Sequence, residues 1–230
     1  MKINFYFGFT LAEVLITLGI IGIVAAMTLP TLMTNINEKR NTAILREDYS
    51  ILANMMQMAR DTGNLTTPQI SNDIPYIKAW FQKTLQPHIK TVNVCYDEYG
   101  CWADSTYYLN GQKTRQHSNG CGQKTVSFTL NNGSAVCFDD YEAGQMKDSF
   151  GYDTTDGISY VFYVDVNGKK LPNTLGKDIF LLVYDTQNDT FSTAGASKND
   201  KDLAEDCSLS GTGRFCATYA KRHSWTLPKF

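Results

Sequence analysis

The sequence has little that would mark an enzyme. Its three histidines, His88, His117 and His223, are scattered along the chain. No Gly-x-Ser-x-Gly elbow or metal-ligand pair accompanies them, so nothing nominates a nucleophile or a general base. Net charge is nearly absent too, with 21 basic residues against 23 acidic ones. That excludes a global field able to recruit nucleic acid or anionic lipid over the whole surface. There is no internal repeat and no low-complexity linker. At 230 residues the chain is within the size that one core can still fill. Cysteine is missing ahead of Cys95, and all six cysteines, Cys95, Cys101, Cys121, Cys137, Cys207 and Cys216, lie in the C-terminal two-thirds. This segregation favours an oxidised compartment over reduced thiols or a zinc site, since no tight Cys-x-x-Cys knuckle is present. Sequence neighbours suggest the pairs Cys95–Cys101, Cys121–Cys137 and Cys207–Cys216, with other connectivities open.

Charge is also missing from Val14 to Met33 (VLITLGIIGIVAAMTLPTLM). As a helix rising roughly 1.5 Å per residue, this run is long enough to cross a ~30 Å hydrocarbon core. A cleaved secretory signal needs a basic start, a shorter apolar run and a small-x-small cleavage site after it. The order here is different. A short leader, MKINFYFG, ends at a glycine, and FTLAEVLITLGIIGIVAA follows with one carboxylate, Glu13, at the lip of the apolar run.

Gly8, Phe9, Thr10, Leu11 and Glu13, followed by the apolar run with Pro30 inside it, resemble the prepilin N-terminal motif of type IV pilins, type II secretion pseudopilins and competence pseudopilins. The resemblance implies cleavage between Gly8 and Phe9 by a prepilin peptidase and N-methylation of Phe9. It also implies assembly of the chain, with itself and with other pilin or pseudopilin subunits, into a helical filament on an inner-membrane platform. The implied location is the inner membrane, as a single pass in contact with its lipid, with the C-terminal domain periplasmic and then part of an extracytoplasmic filament. The N-terminus facing the cytoplasm follows from the resemblance alone. Phe7 stands where family leaders commonly carry a basic residue, and Lys39 and Arg40 lie on the far flank, so the positive-inside signal is weak.

Physical chemistry gives each matched residue a reason. Gly8 has no side chain to obstruct entry of an extended backbone into an intramembrane protease. Glu13 sits where an ionised side chain is costly, which makes it a functional candidate. Its natural partner is the positive amine of Phe9 on a neighbouring subunit, since opposite charges attract strongly at low dielectric. The bland alternative is a carboxylate that snorkels to the headgroups. Pro30 lacks an amide hydrogen and is expected to kink or locally melt the helix, which gives it an assembly role.

Beyond Pro30 the helical spacing continues, with Leu45, Tyr49, Leu52, Met56 and Ala59 on one stripe, up to a stop at Gly63. Met55, Met56 and Met58 read as core filler. A second helix is expected from Asp73, a candidate cap, and Pro75 to Leu85, with Ile77, Trp80, Phe81 and Leu85 on one face. The period then changes to two in TVNVCY, STYYL, KTVSFTL, SAVCFD, ISYVFYVDV and IFLLVYDT. Asn110-Gly111, Asn132-Gly133 and Asn167-Gly168 supply hairpin signals between runs. The expected fold class is α+β: a long N-terminal helix, membrane-spanning in its first half, packed on an antiparallel sheet, which is also the pilin fold. The expected divisions are a cleaved leader (1–8), a transmembrane and assembly helix (9–33), its amphipathic continuation (34–62) and a disulfide-stapled globular domain (63–230).

Three polar stretches remain. DVNGKKLPNTLGKDIF, Asp165 to Phe180, resembles a recurring stretch of pilin-like C-terminal domains. Asp165, Asn167, Asn173 and Asp178 set among glycines suit a calcium ion. The stretch lacks the EF-hand spacing, and a hairpin turn with Asp and Asn capping backbone amides is weighed ahead of calcium. Asp139, Asp140 and Glu142 read as a solvated acidic loop. Near the end, a short helix from about Arg214 to Arg222 is stapled by Cys207 and Cys216, and Lys221, Arg222, His223, Trp225 and Lys229 form a small basic and aromatic tail. DNA contact by that tail is weighed below a solvated terminus. The function favoured is a structural subunit without catalysis of its own and with no cofactor other than that candidate calcium. The alternatives are a minor pilin that binds DNA or a surface ligand, and a membrane-anchored periplasmic enzyme.

Overall fold

The structure, a computed structural model, describes residues 10–63, 65, 74–114, 120–122, 125–155 and 157–230. The chain divides into two compact units, Met1–Arg40 and Asn41–Phe230. Helix α1 (Leu11–Asp61) contributes to both. It runs through Pro30 without interruption, so the local melting expected at the proline does not occur in the single chain.

In the second unit the stripe on α1 is buried: Leu45, Leu52, Met55, Met56 and Ala59 are almost fully removed from solvent. Met58 points the other way and is 54% exposed, which corrects its reading as core filler. Helix α2 (Ile74–Thr84) buries Trp80, Phe81 and Thr84. Asp73, its expected cap, lies outside the described residues.

Six strands follow, β1 (Thr91–Tyr96), β2 (Val126–Leu130), β3 (Ala135–Glu142), β4 (Ile158–Asp165), β5 (Ile179–Asp185) and β6 (Thr190–Thr193), in one antiparallel sheet of order β1-β2-β3-β4-β5-β6. Helices α3 (Ala143–Phe150), α4 (Asp200–Asp206) and α5 (Cys216–Arg222) complete the fold. The architecture is α+β and consistent with a pilin-like fold.

Both faces of the sheet are covered. Tyr160, Phe162 and Val164 of β4 and Phe180, Leu182 and Tyr184 of β5 join the core under α1 and α2. The alternate residues, Val161, Tyr163, Ile179, Leu181 and Val183, join a second core with Met146 and Phe150 of α3 and with Trp102. Alternating side chains point to opposite faces, and with both faces buried the central strands read as continuous apolar runs.

The polar connections are equally specific. Asn132, in the β2–β3 turn, donates from Nδ2 to Asp48 Oδ1 of α1 at 2.7 Å, pinning the helix to the sheet. The three disulfides are Cys95–Cys101, Cys121–Cys137 and Cys207–Cys216, the pairs that sequence neighbours suggested.

The run STYYL is not a strand; Tyr107 makes only isolated bridges to Lys113 and Thr174. Asp139, Asp140 and Glu142 are not a solvated loop either. They end β3, with Asp139 opposite Val161 and half-buried, because β3 extends into the junction with α3.

Candidate functional site

The N-terminal end of α1 is built from Thr10 and Glu13. The Thr10 amide and hydroxyl both donate to Glu13 Oε2 at 2.8 Å, and the Glu13 amide donates back to Thr10 Oγ1 at 3.3 Å. This is a reciprocal capping box, Thr at the cap and Glu three residues on, which satisfies amides that a helix start leaves free. Thr10-Leu11-Ala12-Glu13 carries that signature in the sequence, a role for Glu13 distinct from both the intersubunit partner and the snorkelling carboxylate.

Behind the cap, Leu11–Leu29 is long and apolar enough to cross a membrane, and none of it is buried within the chain. Its hydroxyls are folded back: Thr17 Oγ1 donates to the Glu13 carbonyl and Thr28 Oγ1 to the Val24 carbonyl, each at 2.9 Å. A hydroxyl bonded to its own helix presents no unpaired donor to hydrocarbon. Gly8 and Phe9 lie outside the described residues.

The Asp165–Phe180 stretch is the second polar construction. It links β4 to β5, and both Asp165 and Asp178 are fully buried. Asp178 accepts from the Thr174 amide at 2.6 Å, the Asn173 amide at 2.8 Å and Asn167 Nδ2 at 3.1 Å. Asp165 accepts from the Asn167 amide at 3.2 Å. With its carboxamide oriented to suit its neighbours, Asn173 donates from Nδ2 to the Lys170 carbonyl at 2.8 Å and to Asp165 Oδ2 at 3.3 Å. Asn173 has φ +49°, a left-handed conformation that Asn tolerates. Burial, and then the charge of Asp178, push the Asp165 carboxyl far above the usual carboxylate range. Asp178 is raised by burial and held back by its three donors. The arrangement therefore favours one proton on Asp165 beside an ionised Asp178. Among the described residues no group of three His, Cys, Asp or Glu side chains is placed to hold a metal ion.

At the C-terminal end, two basic residues of the tail, Lys221 and Arg222, are engaged within the chain. Lys221 Nζ donates to Tyr49 Oη at 2.9 Å and lies 4.4 Å from the centre of its ring. Arg222 pairs with Asp200 at 2.8 Å and donates to the Ala196 and Lys198 carbonyls. Trp225 packs edge-on against Tyr49. The Cys207–Cys216 loop is organised by Asp206, which accepts from Thr212 Oγ1 at 2.5 Å and from the Phe215 amide at 2.8 Å. Asp206 had no sequence signal, because its partners are mostly backbone groups that a closed loop brings to it.

Against known proteins, the family model of the prokaryotic N-terminal methylation motif matches residues 4–29. No curated protein and no solved structure gives a significant match to the chain. The motif, the apolar helix it leads into and the α+β domain fit a type IV pilin or pseudopilin. They fit a membrane-anchored protein that serves as a structural subunit.

Proposed function

We propose that the chain is a subunit of a type IV pilus or a type II secretion pseudopilus, cut by a prepilin peptidase between Gly8 and Phe9 and N-methylated on Phe9. The observation that carries this reading is the methylation motif at residues 4–29, running into a helix whose apolar side chains find no cover within the chain. The leader is 1–8, the transmembrane and assembly segment 9–33, its continuation 34–62 and the exported domain 63–230. The subunit waits in the inner membrane with that domain on the periplasmic side, a placement supported by three disulfides that need an oxidising compartment. It then passes to an assembly platform and packs with other pilins.

Glu13 is the registry residue. In the waiting subunit its carboxylate is held by Thr10, the residue that directly follows Phe9. On assembly the Phe9 amine of a neighbour competes for it, an exchange that spares an unpaired charge in low dielectric at either stage. Pro30 leaves one helical carbonyl without its amide partner and lets the segment adjust as subunits pack.

Mass spectrometry of the protein purified from its own cell tests the processing. A mature chain starting at N-methylated Phe9 is expected; a chain that keeps Met1 or is cut after Ala26 would overturn the reading. Replacing Glu13→Ala is expected to leave the protein in the membrane fraction and to reduce filaments at least tenfold by electron microscopy. Normal filament number in that variant would remove Glu13 from the registry role.

The alternatives have less support. Lys221 and Arg222 are occupied by Tyr49 and Asp200, which leaves little for DNA phosphates. Among the described residues no catalytic constellation recommends an enzyme. We read the Asp165–Phe180 loop as a staple rather than a calcium site, because N–H groups point at the Asp178 oxygens where a cation would sit.

A further inference from the structure

The second face of the sheet carries a cavity of about 220 Å³ between α3 and strands β3 and β4. Buried Phe150 and Tyr163 lie at its floor, with Tyr108, Tyr141 and the Arg214 side chain around them and exposed Gln145 at the mouth. These residues come from the 107–114 loop, β3, α3, β4 and the C-terminal disulfide loop.

Three properties of the lining point to a ligand. The first is an available cation. Arg214 donates from one amino group to the Ser149 carbonyl at 3.3 Å and from the other to Tyr108 Oη at 2.9 Å, with its guanidinium 5.2 Å from the centre of the Tyr108 ring. Those bonds fix the guanidinium in place, and among the described residues no carboxylate pairs with it. A guanidinium has five N–H donors in a planar fork suited to a carboxylate, so capacity remains.

The second is an aromatic wall. Tyr141 packs on Phe150 with ring centres 4.6 Å apart, and Tyr108 faces the same space from the loop. Aromatic faces favour flat apolar surfaces, including the C–H faces of a sugar ring. The third is a set of hydroxyl partners. Tyr141 Oη and Tyr163 Oη lie 3.2 Å apart, and burial first, then Tyr163 and Asp139, push the Tyr141 phenol's pKa up. Both phenols stay protonated, and with one O–H spent between them and Tyr141 also bonded to Asp139, what they present to a sugar hydroxyl is acceptor oxygens.

A hydrocarbon ligand would leave these polar groups desolvated, at a cost. A simple inorganic anion would leave the rings unused. We propose that this cavity binds a hexuronic acid, its carboxylate on Arg214, its ring face against the tyrosines and its hydroxyls on Tyr141, Tyr163 and Gln145. The unit is either a free sugar acid or the terminal residue of an acidic polysaccharide. The proposal concerns the exported domain alone and does not depend on the filament reading.

Titration of the full chain in detergent micelles with glucuronate, read by saturation-transfer NMR on the sugar, tests it. Saturable binding of glucuronate, at least tenfold tighter than glucose, is the expected result. Equal binding of the two sugars, or no saturation by glucuronate, would overturn the proposal. A glucuronate-terminated oligosaccharide separates the sources: tighter binding than the monosaccharide points to a polysaccharide end, and equal or weaker binding to the free sugar acid. Arg214→Gln should abolish the preference for the acid. Because Arg214 also supports Ser149 and Tyr108, Gln145→Glu is the second variant. It keeps the acceptor that receives the Glu142 amide, as a capping-box Glu does, while placing a like charge at the mouth. An unchanged melting temperature with glucuronate binding weakened about tenfold and glucose unaffected supports the site. Unchanged glucuronate binding in both variants removes it.

Discussion

Asp178 is a carboxylate whose three described donors, two of them backbone amides, converge on it from a loop that would otherwise strand them. Replacing Asp178→Ala leaves the Asn173 and Thr174 amides buried without acceptors, and each such orphan costs about 1–3 kcal/mol. The expected loss is about 3 kcal/mol of unfolding free energy by denaturant titration. The melting temperature of the parent chain is expected to be unchanged by a chelator. A chelator-induced fall would restore calcium to the loop, since a ligand bound only to the folded state raises its stability. The residue types were legible in sequence, and so was the turn at Asn167-Gly168. The direction of each side chain was not, because Asp178 reaches back across the loop to residues whose approach depends on how β4 and β5 pair.

At the scale of elements, local periodicity served where one face is buried and the other wet, as on α1, where Leu45, Leu52 and Met56 recur at helical steps. Leu52 is fully buried against the sheet, so Leu52→Ala should cost about 2–5 kcal/mol. Met58, six residues on and exposed, serves as the control: Met58→Ala should change stability by less than about 0.5 kcal/mol. Similar losses for the two would mean that the stripe is misplaced by rotation about the helix axis. Five of the six strands announced themselves through β-branched and aromatic runs. Strand β6 escaped, being four residues long and polar in TFST, and so did α3 and α4, each too short for a helical period to stand out. STYYL had strand composition, but its amides bond to three separate places, the Asn173, Gln112 and Thr212 carbonyls, and no ladder forms with any one neighbour among the described residues; the surrounding chain, not propensity, decides such segments. The Arg214 cavity was beyond reach of any local pattern, since its walls come from segments spread along the chain from Tyr108 to Arg214.

For the whole molecule, five carboxyls in buried or half-buried places share a sign. Burial raises Asp48 and Asp139 to about 6, and raises Asp140, Asp165 and Asp178 as well. When the folded pKa lies above the unfolded one, the folded chain keeps a proton that the unfolded chain has released, so stability falls as pH rises between the two values. Asp189 acts oppositely: Tyr184 and Arg60 hold its pKa down, so its contribution is present above the ordinary carboxylate range and fades as pH falls. With five groups raised against one lowered, the Asn41–Phe230 unit should be more stable near pH 5 than near pH 8, by about 1.4 kcal/mol per pH unit for each group titrating in the window. Asp48 isolates the effect, because its buried Oδ2 finds no hydrogen-bond partner among the described residues and Asn is nearly its shape. Thermal unfolding of the full chain in detergent should show Asp48→Asn melting above the parent near pH 8 and converging on it near pH 4, where the parent's carboxyl carries its own proton. A variant whose curve ran parallel to the parent's would place the pH dependence elsewhere among the buried carboxyls. A parent chain that gained stability with rising pH would mean that Asp189 and its ion pair outweigh them all.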